Sequence, residues 1–287
     1  MTLAGCGKGN SSDTSEDSTV ESPTENSAVN ENIEENSAED QTGEWTDYTE
    51  QIKTEVADAA SSNTLQKELE TISALANKYD EICTNSETQT DMNYNSQWPY
   101  MVWDTELNSL WSRMSDELDP STKEEVLAKQ RVWVSMKETA ADNLSATYID
   151  GTIYSTIRGG ELANITCRRV YVLAEAFAKF KGESFSMPAR DNFGYFVDTQ
   201  GTSDEYSSMT VIEGMEADSI DIKISIYRQG EITGFGTATE DGITFESYDG
   251  NVKGTIGVRY DGASFKVTEA KDAIVNTGDS YEFDLAF

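Results

Sequence analysis

Histidine is missing from all 287 residues. Its absence excludes Ser-His-Asp and Cys-His nucleophile systems, His-ligated zinc or iron, and a histidine pH switch. Long apolar runs are missing too: no stretch approaches the roughly 20 residues that a helical membrane span requires. Basic residues are few. Lys and Arg number 21 against 53 Asp and Glu, a formal charge of −32. The excess is spread along the chain, with twelve acids and one Lys over residues 7–47, 22 and 13 over 48–189, and 19 and seven over 190–287. Such a surface repels nucleic acid and anionic lipid and attracts cationic proteins, peptides or metal ions. Plain solubility explains the same charge, so the sign narrows the partners without naming one. Cysteine is limited to Cys6, Cys83 and Cys167.

The first of these cysteines closes the tetrapeptide Leu3-Ala4-Gly5-Cys6, which resembles the lipobox of bacterial lipoproteins. That resemblance implies cleavage before Cys6, acylation of its thiol and new amino group, and an extracytoplasmic protein anchored to the bacterial cell membrane by lipid. Only Met1 and Thr2 precede the box, so residues 1–6 read as a truncated signal whose basic and apolar parts are not in the sequence. Residues 7–44 consist mainly of Ser, Thr, Asn, Glu and Asp. They cannot bury enough apolar surface to offset their ordering entropy, and a disordered acidic tether is expected. With Cys6 assigned to lipid, Cys83 and Cys167 remain as an even pair, either bonded or two buried thiols.

From Trp45 the pattern turns helical. Leu65, Leu69, Ile72, Ala76, Tyr79 and Cys83 recur at three- and four-residue steps, with Asn63 as the expected N-cap. A second stripe runs Trp103, Leu107, Leu110, Trp111, Met114 and Leu118, behind Pro99. Ser121 and Glu124 form a capping-box pattern ahead of a helix bearing Val126, Trp133, Ala140, Leu144 and Tyr148. A last helix is expected after Gly159-Gly160, stopping at Gly182. Short links between helices imply an antiparallel bundle over residues 45–185.

Past Pro188 the period becomes two. Ile220, Ile222, Ile224 and Ile226 alternate with Ser219, Asp221, Lys223 and Ser225, a strand with one buried face. Asp241-Gly242, Asp249-Gly250 and Asp261-Gly262 are hairpin turn pairs. About eight short strands in residues 190–287 fit a small antiparallel β-barrel or β-sandwich. The expected class is therefore α+β, a helical bundle followed by an all-β domain.

Four stretches of the helical part resemble the LprI-type lysozyme-inhibitor family: Thr88-Gln89-Thr90-Asp91-Met92-Asn93, Asp104 to Asn108 with Leu110 and Trp111, Gln130-Arg131-Val132-Trp133, and Gly159-Gly160 leading to Cys167. The likeness spans about residues 80–180. Family members carry cysteines where this chain has Asn95 and Ala141, so the resemblance leaves Cys83 and Cys167 as each other's partners in a disulfide. Leu107, Trp111 and Trp133 fall on apolar stripes and are expected in the core, while Asn108, Gln130 and Arg131 are expected to form a buried polar network between two helices. No nucleophile, base and orienter assemble from these residues, so no catalytic residue, cofactor or metal ligand is assigned. The resemblance implies a non-catalytic surface protein that binds a partner, a cationic lysozyme-type wall hydrolase being the specific form. The alternative is an envelope module whose β-domain holds a small apolar or glycan ligand in a barrel mouth, which requires an unfilled interior.

Overall fold

The computed structural model describes residues 45–200, 204–214 and 219–287. The signal, Cys6 and the tether expected before Trp45 lie outside the described residues. From Asp47 to Phe287 the chain forms one compact unit, with six α-helices followed by nine β-strands among the described residues.

The helices are α1 (Thr49–Ala59), α2 (Leu65–Thr84), α3 (Gln89–Asn95), α4 (Gln97–Glu117), α5 (Pro120–Leu144) and α6 (Tyr154–Lys181), with a 3-10 turn at Ala146–Tyr148. Every stripe residue read on α2 is buried, each large aliphatic contributing about 1.5–3 kcal/mol against exposure. α4 lies centrally, packed on α1, α2 and α6. Among the described residues no helix is long and apolar enough to cross a membrane.

Helix ends depart from expectation in instructive ways. Thr64, not Asn63, caps α2, its side chain accepting from Lys67 N at 3.2 Å. Asp119 displaces the Ser121–Glu124 box: its Oδ1 accepts from Ser121 N at 3.0 Å and Thr122 N at 3.1 Å, with Pro120 at the first helical position. Two amide donors on one carboxylate satisfy more of the helix start than a hydroxyl could. The Thr122 and Ser121 hydroxyls, which also donate to this carboxylate, hold it well below its usual range, with the amides adding to the effect. The largest shift is at Gly159-Gly160, which lie inside α6 rather than before it.

The strands are β1 (Gly194–Asp198), β2 (Ser207–Glu213), β3 (Ile220–Ile226), β4 (Gly230–Thr239), β5 (Gly242–Ser247), β6 (Val252–Val258), β7 (Ala263–Ala270), β8 (Ser280–Phe283) and β9 (Leu285–Ala286). Neighbours in sequence pair antiparallel from β1 through β8, and β9 returns to β1 with Phe196 opposite Ala286 and Val197 opposite Leu285. β8 and β9 are separated by Asp284 alone, so one bent strand pairs with β7 on one side and β1 on the other. The sheet is thus a nearly closed barrel, not a sandwich. Its interior is filled by residues such as Met209, Ile222, Ile224, Ile243, Phe245, Ile256, Phe265 and Phe283.

The outer face of β1 belongs to the other half. Tyr195 and Val197, together with Phe287, lie in the helical core. Phe287 stacks on Trp133 at 6.0 Å between centroids with planes 10° apart. Bundle and barrel therefore share one apolar layer.

Candidate binding face

The first motif holds the start of α6. Thr88 caps α3, accepting from Asp91 N at 3.1 Å. Gln89 Nε2 donates to Asn93 Oδ1 at 3.0 Å and to Thr156 Oγ1 at 3.2 Å, and Thr156 Oγ1 donates to Asn93 Oδ1 at 2.7 Å. Asn93 Nδ2 donates to Thr152 O at 3.1 Å, reaching the segment between α5 and α6. Gly159 completes this contact. A Cβ there would stand 2.7 Å from Ser96 Oγ and 3.0 Å from Ser96 O, so the helices approach closely only with glycine. That accounts for a glycine pair inside a helix.

The other motif residues divide between core and surface. Leu107 and Trp133 are buried, as expected, whereas Trp111, next to Leu110 at the edge of the stripe, is only half-buried. The expected network of Asn108, Gln130 and Arg131 does not form. Asn108 is exposed and donates to Asp104 O at 2.7 Å on its own helix. Arg131 is exposed and pairs with Glu124 at 3.4 Å. Only Gln130 is buried, and its partner comes from α6: Arg169 Nε donates to Gln130 Oε1 at 2.7 Å. Adjacent positions on a helix point about 100° apart, so Gln130 and Arg131 cannot both face the core. Arg169 also lies 5.8 Å over the Trp133 ring, and burial lowers its guanidinium pKa to about 10. On the α4–α5 contact, Lys137 Nζ donates to Tyr100 OH and, at 3.3 Å, to Asp104 Oδ1.

The two cysteines stay apart as free thiols, so the disulfide implied by the family resemblance is not formed in this structure. Cys83 Sγ donates to Met92 O at 3.4 Å, facing α3. Cys167 is next to Arg168, Tyr171 and Tyr260, and burial pushes its thiol up to about 12. Each sulfur is engaged on a different contact, one toward α3 and one toward the barrel.

Sequence reasoning missed a buried acidic pair. Glu68 on α2 and Glu106 on α4 share Arg113, whose Nη1 donates to Glu68 Oε2 at 3.1 Å and whose Nη2 reaches Glu106 Oε1 at 3.3 Å. Burial, then the charge of Glu68, raises the Glu106 pKa to about 9. Glu68 follows the α2 stripe at i+3 from Leu65, the one available signal.

Sequence reasoning also put Tyr148 on a buried stripe. It sits instead in the connection from α5 to α6 and is 46% exposed, beside Ile149 at 64% and Ile153 at 38%. The turn is well fastened. Tyr148 N donates to Ser145 O at 3.0 Å, Gly151 N to Tyr148 O at 2.8 Å and Tyr154 N to Gly151 O at 3.1 Å. With Asn93 holding Thr152 O, the motif fixes the backbone that carries these three apolar side chains. The signal was Tyr148-Ile149-Asp150-Gly151-Thr152-Ile153, large apolar residues astride an Asp-Gly turn.

Beside the turn is a cleft of about 340 Å³ between bundle and barrel. Thr147, Tyr148 and Ile157 form one wall, and Ile212 and Phe193 stand on the barrel side. Among the described residues, Glu161, Asp191, Glu213 and Asp221 line it against one cation, Arg168. Arg168 pairs with Asp191 at 3.1 Å and donates to Phe287 O at 3.2 Å. Burial raises the Glu161 pKa. The barrel mouth, by contrast, is an open depression of about 410 Å³ lined by Asp198, Gln200, Tyr227, Gln229 and neighbours, above a packed interior.

Residues 81–173 match the family described as Lysozyme inhibitor LprI. The match runs from the end of α2 into α6 and takes in all four motifs and the exposed turn, so the resemblance read from the sequence holds over that segment. No curated protein and no solved structure matches the chain.

Proposed function

We propose that the chain is a non-catalytic, lipid-anchored protein of the bacterial surface that binds a cationic lysozyme-type wall hydrolase and inhibits it. The observation that carries this is the match of residues 81–173 to a lysozyme-inhibitor family. The charge of −32 supports it, because an acidic surface steers cationic partners into encounter. The filled barrel gives no support to a ligand held inside it. Glu68 and Glu106 are sealed in the helical core, away from any substrate, which fits a binding role. Attachment would come through acylated Cys6, with the acidic segment after it as tether.

Added to a cationic lysozyme lysing wall material, the full chain should slow lysis at low salt. The effect should weaken between 0.01 M and 0.15 M salt, where the Debye length falls from about 30 Å to about 8 Å. Polyglutamate of matched charge is the control, since any polyanion sequesters a cationic enzyme. Unchanged lysis at every stoichiometry, or inhibition no better than polyglutamate, would overturn the proposal. For the anchor, Cys6→Ala expressed behind a full signal peptide should leave the detergent phase.

A further inference from the structure

We infer that the α5–α6 turn and the cleft beside it are the face that docks the cationic partner, an inference that rests on the function proposed above. Three large apolar side chains, Tyr148, Ile149 and Ile153, stand exposed on one short turn. Exposed apolar clusters on a fastened backbone mark contact surfaces. The turn is held by Asn93 on Thr152 O and by its own backbone hydrogen bonds, so little order is lost on docking.

Charge selects the occupant. The adjoining cleft sets Glu161, Asp191, Glu213 and Asp221 against Arg168, and its 340 Å³ admits one extended Arg or Lys side chain. Asp221 is also held by Tyr248 OH at 3.1 Å, so part of the acidic wall is fixed in place. The partner is therefore a folded cationic protein presenting an apolar patch next to a projecting Arg or Lys. The apolar turn supplies close contact and the cleft supplies register.

Ile149→Asp tests the division of labour in the full chain. It adds negative charge at an exposed position, so attraction by charge alone predicts tighter binding to a cationic lysozyme. The docking face predicts binding at least about tenfold weaker, as when an interface anchor is lost, with the melting temperature unchanged. Glu213→Gln, in the cleft, should weaken binding several-fold. Glu240→Gln, exposed at the β4–β5 turn, loses the same charge and should change binding less than twofold. If wild type binds and Ile149→Asp binds as well or better, the docking face is overturned and the inhibitor proposal survives. If wild type does not bind the lysozyme at all, both fall.

Discussion

The bundle and the barrel bury different chemistry. The barrel interior is filled by apolar side chains from Phe196 to Phe283, and its buried polar residues in phase with them, Ser207 and Ser247, are small hydroxyls. The bundle buries Glu68, Glu106, Gln130, Thr166 and Arg169 beside its aromatics. Alternation along strands sends inward residues into one enclosed space, so charged side chains there would lack partners. The buried serines accept from strand-end amides, Ser207 from Tyr227 N at 3.0 Å and Ser247 from Val252 N at 2.9 Å. Facing helices can instead offer partners from separate elements, as Gln130 of α5 does for Arg169 of α6. The family match falls wholly on the half with the polar core. The barrel adds the second wall of the cleft and lends Tyr195, Val197 and Phe287 to the helical core.

The harshest test of that contrast is one truncation in each half. Gln130→Ala leaves Arg169 Nε without its acceptor and should cost about 3 kcal/mol, the upper end for a buried donor left unpaired. Phe265→Ala should cost about 3–5 kcal/mol by leaving a cavity in the barrel. Because the two halves share a layer, each variant should unfold in one denaturant transition seen alike by far-UV circular dichroism and tryptophan fluorescence. Two separated transitions would show that the halves are independent.

Gly159→Ala probes the close approach of α3 and α6. The added Cβ meets Ser96 side chain and backbone together, and overpacking of this kind costs about 1–3 kcal/mol. Chemical denaturation measures it. The same change at Gly160, where a Cβ meets nothing within 4 Å, should stabilise by a few tenths to about 1 kcal/mol, since alanine is the better helix former.

The polar core also predicts a pH response with a definite sign. Unfolded, Glu106 loses its proton near the ordinary 4.5; folded, near 9. Between those values the folded chain holds the extra proton, so stability falls as pH rises. Glu161, raised by burial, adds in the same direction. With no histidine, no side chain of ordinary pKa titrates from about pH 5.5 to 8, leaving the window clear. Melting temperature should therefore decline across it, and Glu106→Gln should flatten the decline. An equal slope in the variant would refute the assignment. The smallest effect is expected for Arg131→Ala, whose exposed pair with Glu124 should be worth under about 0.5 kcal/mol.

The α+β class, the order of the elements and the apolar stripes were legible in the sequence because periodicity reports directly on which face is buried. The α2 stripe and the Ile220–Ile226 alternation fell into place residue by residue. Caps slipped by one or two positions, since Asn63, Thr64, Asp119 and Ser121 all offer suitable oxygens and only geometry chooses. Gly159-Gly160 looked like a break because glycine weakens helices; the reason to keep it there is Ser96, more than sixty positions away. Arg169 and Arg113 were illegible for a similar cause. Nothing local tells a surface arginine from one whose acceptor arrives on another helix. The exposed turn was misplaced by extending the α5 period past Leu144, where Ser145 Oγ bonds back to Ala141 O at 2.6 Å and the helix ends.

The bent strand at Asp284 has a consequence for time rather than for shape. Most strand pairs join neighbours in the chain, but closure needs Ala286 to find Phe196 and Leu285 to find Val197, a loop spanning nearly the whole β half. Such long-range pairing is slow because its entropy must be lost before its contacts reward it. Phe287 reaches Trp133 only once that closure is made. The final tightening of the helical core is thus expected to be a late event set by the barrel seam. The expected kinetic signature is a Trp133 signal that develops with β-sheet closure, after most helical signal has formed.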